Sequence, residues 1–430
     1  LTRFAERNGL QSYQPAFPAV TCTAQSSIVT GTSPAGHGIV ANGWYDRESA
    51  EVRFWKQSNH LVQGEKLWDK LRREIPGFTC AKLFWWYNMY SSADFSITPR
   101  PLYPADGRKV FDIHTQPMGL REELKNDLGP FPFPAFWGPA AGIASSEWIA
   151  SSAKWIEEKH APTLSLVYLP QLDYPLQKDG PLAPNIPAEL RKIDQLATDL
   201  IDFYESRQVR VLVLSEYGIS PVNRPIHLNR LFREKGWIQV KDELGRETLD
   251  CGACRAFAVA DHQAAHVYIN DPTIREEVRA LLESTSGVDE VRSAAETWGG
   301  GIAAERAGDF IAIAAEDAWF TYYFWQDDAL APDYARTIDI HRKPGYDPCE
   351  LFLNPAIAFP KLKIAMFLLK KKLGLRGLLD VIPLDASLVK GSHGRDHVAE
   401  DERPVLLGSA YPVATAEDVH LAILAAARQA

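Results

Sequence analysis

Thr21-Cys22-Thr23-Ala24-Gln25-Ser26-Ser27-Ile28-Val29-Thr30-Gly31, continued by Thr32-Ser33-Pro34-Ala35-Gly36-His37-Gly38-Ile39-Val40-Ala41-Asn42-Gly43-Trp44-Tyr45-Asp46, is the stretch from which this chain is best read. A hydroxyl residue stands in front of a short run that Gly31 stops and Pro34 keeps from resuming, which predicts a helix of about two turns. A hydroxyl at a helix N-terminus meets unpaired backbone N–H groups and the positive end of the dipole. Such a place holds a phosphate and makes an alkoxide less costly. The commoner job of a threonine there is that of a plain N-cap, and the residues alone leave both readings open.

Outward from this stretch, 430 residues are enough for one large domain with a smaller inserted or appended one. The apolar and charged fractions are those of an ordinary globular protein. A formal net charge of -9 argues against non-specific nucleic-acid binding. Five cysteines, odd in number and scattered, suggest no disulfide framework. No apolar run has the length of a membrane span. The chain opens without Met or a signal-like segment, so its first strand is expected to lie upstream, and the expected compartment is the cytoplasm.

Leu1 to Leu10 reads as the end of an amphipathic helix. Gly64 to Glu74 opens another helix, and Phe78 to Trp85 a strand. Phe84, Trp85, Trp86, Tyr87 and Tyr90 form an aromatic cluster, read first as core and second as a wall for a flat group. Thr163–Pro170, the helix Ala188–Tyr204 and Val209–Leu214 are spaced as a right-handed parallel crossover. Sites in such sheets lie past the carboxyl ends of the strands. The polar residues there are Asp173 and Gln177 after the first, then Ser215, Glu216 and Tyr217 after the second. Cys251-Gly252-Ala253-Cys254, with His262 and His266 behind it, is a weak signal for a small metal site or redox pair. His341, two residues after Asp339, sits in a charged turn and is first a surface group, second a ligand. Lys361 to Leu373 mixes lysines with Leu, Ile and Phe; a helix with a solvated basic face is favoured over one resting on a membrane.

The order of hydroxyl, short helix, Thr30-Gly31, then His37-Gly38-Ile39 and Asn42 resembles the nucleophile segment of the nucleotide pyrophosphatase/phosphodiesterase family of the alkaline phosphatase superfamily. In that family Phe-Pro-Asn follows the nucleophile, where Cys22-Thr23-Ala24 stands here. The likeness continues at Gly64-Glu65-Lys66-Leu67-Trp68 and at Gly391-Ser392-His393-Gly394-Arg395-Asp396. It implies an α/β, alkaline-phosphatase-like three-layer sandwich with a central, mostly parallel sheet. Residues 1–250 and 331–430 would form the core, and 251–330 a small α/β cap insertion.

The resemblance further implies that Thr21 is the nucleophile, that Asn42 contacts the phosphoryl oxygen, and that Asp173, Glu216, His393 and Thr21 bind metal. Two departures stand out. Gln177 and Tyr217 occupy positions where the family has imidazole ligands, and the Asp of the family's first strand is not in these residues. Gln is a poor zinc donor, and a phenol with its pKa near ten needs strong help to become one. Gln177, Tyr217, His341, Asp339 and His262 are therefore candidate substitute ligands. The implied cofactor is a divalent metal, Zn in one or two ions, with Mg or Mn as harder alternatives. The implied reaction is hydrolysis of a small-molecule phosphoester through a phosphothreonine intermediate, with no nucleic-acid partner and no transmembrane segment. Two alternatives remain open: a metal-poor homologue that binds a phosphorylated metabolite without hydrolysing it, and a phosphonate or sulfate ester hydrolase.

Overall fold

The computed structural model describes residues 1–429 and has a mixed α/β architecture. Its main sheet has four strands in the order Ile113–Gln116, Phe95–Pro99, Cys80–Leu83, Leu164–Val167. The last three run parallel and the first is antiparallel to its neighbour. A three-stranded sheet of Leu10–Ser12, Val405–Leu407 and Val213–Leu214 is antiparallel throughout.

This corrects one expectation. Leu164–Val167 and Val213–Leu214 are both strands with the helix Ile186–Glu205 between them, but they do not pair as a parallel crossover. Val213–Leu214 takes Val405–Leu407 as its partner instead. A strand of two residues offers few ladder bonds, so its assignment falls to whichever edge lies beside it.

The Thr21–Thr30 helix is buried along its whole length. It lies against the C-terminal helix Ala416–Ala427, whose Val419, Ala422 and Ile423 share a core with Ala24, Ile28 and Leu67. That C-terminal helix opens on a capping box formed by Thr415 and Asp418. Gly31 ends the Thr21–Thr30 helix at φ 66°, with its N–H on the Ser27 carbonyl. His37 is buried and satisfied on both ring nitrogens, by the Ser27 hydroxyl and by the Ile39 N–H. It fastens the turn after the helix.

Residues 256–314 contain a four-stranded antiparallel sheet, in the order Ala256–Asp261, Ala264–Ile269, Phe310–Ala314, Val288–Ser293. Its first two strands form a hairpin with His262-Gln263 at the tip, His262 at φ 62°. Helix Arg275–Ser284 buries Val278 and Leu282 in the same core as Phe257, Val259 and Phe310. Among the described residues no helix is long and apolar enough to cross a membrane, and all five cysteines are free and buried.

Candidate active site

Thr21 is the first residue of its helix, with Val20 in the cap position. It is therefore not an N-cap, and its hydroxyl is free for other partners. Thr21 Oγ1 lies 2.9 Å from the Tyr217 hydroxyl. Tyr217 in turn donates toward Asp173 Oδ1 at 3.5 Å. One helical turn past Thr21, on the same face, the Gln25 amide donates to Glu216 Oε1 and accepts the Trp86 N–H at 2.7 Å. Spacing alone could have singled out Gln25, because i and i+4 share a helix face.

Asp173 opens the short helix Asp173–Asp179, which puts Gln177 one turn on and facing the same way. Gln177 donates its amide to Asp173 Oδ2 at 2.7 Å and accepts the Tyr346 hydroxyl at 2.8 Å. Glu216 and Tyr217 follow Val213–Leu214 after one residue, Ser215. Ser215 locks that exit, since its N–H and Oγ both bond the Val405 backbone. Strand Gly391–Ser392 pairs with Ser220–Pro221 and so sets His393 beside Tyr217, rings stacked at 3.8 Å and 8°.

His393 holds the Ala19 carbonyl through Nδ1 at 2.7 Å, which puts the proton on Nδ1. Its Nε2 is buried without a partner, 3.8 Å from Asp173 Oδ1. The hairpin tip supplies a second such ring. His262 Nδ1 bonds Asp261 Oδ1 at 2.8 Å, its Nε2 is likewise buried and unpaired, and the ring lies between His393 and Tyr346. The tip is hooked to the same strand by the Gln263 N–H on the His393 carbonyl. Asp261 also accepts both the backbone N–H and the side-chain amide of Asn42, at 2.8 and 3.1 Å. Asn42 Oδ1 accepts the Cys22 N–H.

Burial dominates the electrostatics. It pushes Asp173 up to about 7 against hydrogen bonds from Gln177 and Tyr217. It pushes Glu216 up to about 8, helped by the Asp173 charge and opposed by Gln25. Asp261 rises to about 6, while His262 and His393 are driven well below the usual histidine range. The Tyr217 phenol is held well above its ordinary value, so it is neutral and carries its proton.

Of the residues singled out from sequence, Thr21, Asn42, Asp173, Glu216, Gln177, Tyr217, His262 and His393 converge. His341 and Asp339 do not join them. His341 is exposed, and Asp339 gives its N–H to Glu350. His266 bonds the Val40 carbonyl inside the hairpin sheet and leaves the Cys251/Cys254 pair without an imidazole partner. Sequence reasoning missed Asp261 and Tyr346. The one available signal was the two-residue tip His262-Gln263 between alternating strands, which marks the ends of a hairpin but not where it lands.

The two-zinc arrangement does not fit these side chains. Zinc asks for N, S or charged-oxygen donors, three or four to an ion. Gln177 and Tyr217 are neutral and already spent on the Asp173 carboxylate. Among the described residues no three His, Cys, Asp or Glu side chains are grouped to hold an ion.

Comparison with known proteins agrees with the fold and with the family resemblance. A curated pyrophosphatase/phosphodiesterase of uncharacterised activity from Schizosaccharomyces pombe is 27% identical over 244 residues, 54% of this chain and 43% of that protein. The match thus spans less than half the length of that relative. Phosphonoacetate hydrolase of Sinorhizobium meliloti, solved with phosphonoacetate, superposes with a TM-score of 0.59 at 16% identity, covering 99% of this chain and 89% of the other. Murine ectonucleotide pyrophosphatase/phosphodiesterase 5, solved as an inactive threonine-to-alanine variant with AMP, gives 0.57 at 14% identity over the same shares. At these identities the solved structures establish an alkaline-phosphatase-like fold and no more. The family profile described as type I phosphodiesterase/nucleotide pyrophosphatase matches residues 1–347, and the chain belongs to that family.

Proposed function

We propose that this protein hydrolyses a phosphodiester or phosphoanhydride bond of a small molecule, with Thr21 Oγ1 as the nucleophile. The observation that carries the reading is the Thr21–Tyr217–Asp173 chain at the N-terminus of a buried helix. The helix end favours the phosphoryl anion beside Thr21. As Oγ1 bonds to phosphorus, its proton passes to the Tyr217 oxygen while Tyr217 hands its own to Asp173. The bond from phosphorus to the leaving oxygen breaks, and that oxygen departs with the electron pair and takes a proton from solvent. Water then attacks the phosphothreonine ester, giving its proton to solvent, and Thr21 Oγ1 leaves as Asp173 returns the proton through Tyr217. The phosphoryl oxygen replaces Asn42 Oδ1 as acceptor of the Cys22 N–H, and the Asn42 amide adds a second donor. Residues 251–330 act as a cap whose Asp261–His262 tip reaches this site. The threonine-to-alanine variant named inactive for the murine relative supports the same assignment.

Thr21→Ala is expected to abolish turnover of bis-p-nitrophenyl phosphate, a fall of at least about a thousandfold. Unchanged turnover refutes the assignment. Metal content of the purified protein, measured alongside, tests the cofactor: a stoichiometric ion means that the network reopens around a cation and that the hydrolase is metal-dependent.

A second reading has its own observation in the neutral Gln177 and Tyr217, which close Asp173 into internal hydrogen bonds, as Gln25 does Glu216. On that reading the protein binds a phosphorylated metabolite without cleaving it. No ion, and no turnover across a broad panel of phosphate, phosphonate and sulfate esters, supports it.

A further inference from the structure

Helix Pro360–Lys372 contributes no residue to the buried core. Its inner side is thin. Ile364 leans on the cluster around Trp319 and Tyr322, and Phe367 on the Gly377 turn. Lys363 is tied down by Asp380 at 2.8 Å, and Lys371 reaches the Lys109 carbonyl.

The outer side is the unusual one. Leu362, Met366, Leu369 and Leu373 follow one another by four, three and four positions, so they form a single stripe along the helix. They are exposed by 58%, 52%, 58% and 66%. Phe359 at one end, and Leu375 and Leu378 at the other, extend the patch in the same exposed state. An apolar patch of this continuity needs a cover.

Charge selects which cover. Between Glu350 and Asp380 the chain has six basic residues and no acidic one, in a protein whose net charge is -9. At 100° per residue, Lys370 lies on one flank of the stripe, and Lys361 and Lys372 on the other. Long lysine stems on both edges of an apolar stripe let the rings and methyls sink while the ammonium groups stay at headgroup level. A second copy seated on this face by a two-fold contact would set the same lysines against one another, and a neutral apolar partner would leave them unpaired. An anionic bilayer meets both features at once.

We propose that the helix Pro360–Lys372 is a peripheral membrane-binding element that lies in the plane of an anionic lipid surface, with Leu362, Met366, Leu369 and Leu373 inserted and Lys361, Lys370 and Lys372 at the phosphates. It is independent of the chemistry assigned to Thr21.

The test is flotation of the full chain with vesicles of phosphatidylcholine alone and with about a third phosphatidylglycerol. Wild type is expected to float with the anionic vesicles at least about tenfold better, and less so as salt is raised. Leu369→Glu, alone or with Met366→Glu, is expected to cut partitioning about tenfold. Lys361→Glu with Lys370→Glu and Lys372→Glu is expected to remove the lipid preference. All of these side chains face solvent, and an unchanged far-UV spectrum and melting temperature establish that the variants are folded. Three results overturn the proposal: no partitioning of wild type, partitioning that Leu369→Glu leaves intact, or a dimer on gel filtration that Leu369→Glu dissociates.

Discussion

His262 and His393 pack ring against ring, centroids 3.8 Å apart and tilted by 36°, each with Nδ1 committed and Nε2 buried and free. The family-like histidine and the hairpin histidine thus share one wall of the site, and Asp261 holds the second in place while also holding Asn42.

Asp261→Ala removes the acceptor for three buried donors: the Asn42 N–H, the Asn42 amide and His262 Nδ1. Orphaned donors of this kind cost about 1–3 kcal/mol each, less whatever relaxation recovers, so a loss near 3 kcal/mol is expected. Urea denaturation measures it. If Asp261 also positions Asn42, kcat falls more than KM changes, and Asp261→Asn, which keeps an oxygen for His262 or Asn42, recovers part of both.

Restoring imidazole at the two neutral positions should change the metal chemistry. Gln177→His with Tyr217→His is expected to bind zinc stoichiometrically and to gain more melting temperature on zinc addition than wild type does. Calorimetric titration of both proteins decides it. The expected cost is the bond that Tyr346 gives to Gln177.

Lys82 is buried beside the site, with Nζ on the Trp86 and Tyr87 carbonyls, and burial pulls its pKa down to about 7. The unfolded chain keeps that lysine protonated to about pH 10, so between the two values the unfolded state binds more protons. Stability from this group therefore rises with pH above about 7, by at most about 1.4 kcal/mol per pH unit. Denaturation of wild type and Lys82→Met at pH 7 and 8.5 should differ by that slope. Parallel curves would mean that the lysine keeps its charge state throughout.

Gly31→Ala places a methyl 2.8 Å from the His420 ring carbon in a left-handed backbone conformation. A loss of about 1–2 kcal/mol in thermal or urea unfolding is expected, because both strain and overlap act at the joint between the Thr21–Thr30 helix and the C-terminal helix.

Much of this site is legible in the residues. Thr21, Asn42, Asp173, Glu216 and His393 lie in short motifs whose local order survives folding, and the helices at 21–30 and 416–427 follow from their punctuation by Gly31 and Thr415. What sequence could not provide was tertiary choice. Nothing local tells Val213–Leu214 to pair with Val405–Leu407 rather than with a parallel neighbour. Nothing in the turn around His341 shows that it stays out at the surface, while the tip bearing His262 turns inward. Asp261 was invisible for the same reason: its meaning lies in Asn42, which only the folded hairpin brings to it.

One bond reaches further than its strength suggests. The carbonyl two residues before Thr21 is held by an imidazole 374 positions away. On a ribosome, the threonine segment emerges well ahead of the residue that fastens it and must wait, half-housed, while the 374 positions out to His393 are made. Assembly of this pocket therefore waits on distant residues, and a nascent chain halted before His393 would carry Thr21 without the imidazole that fixes the backbone ahead of it.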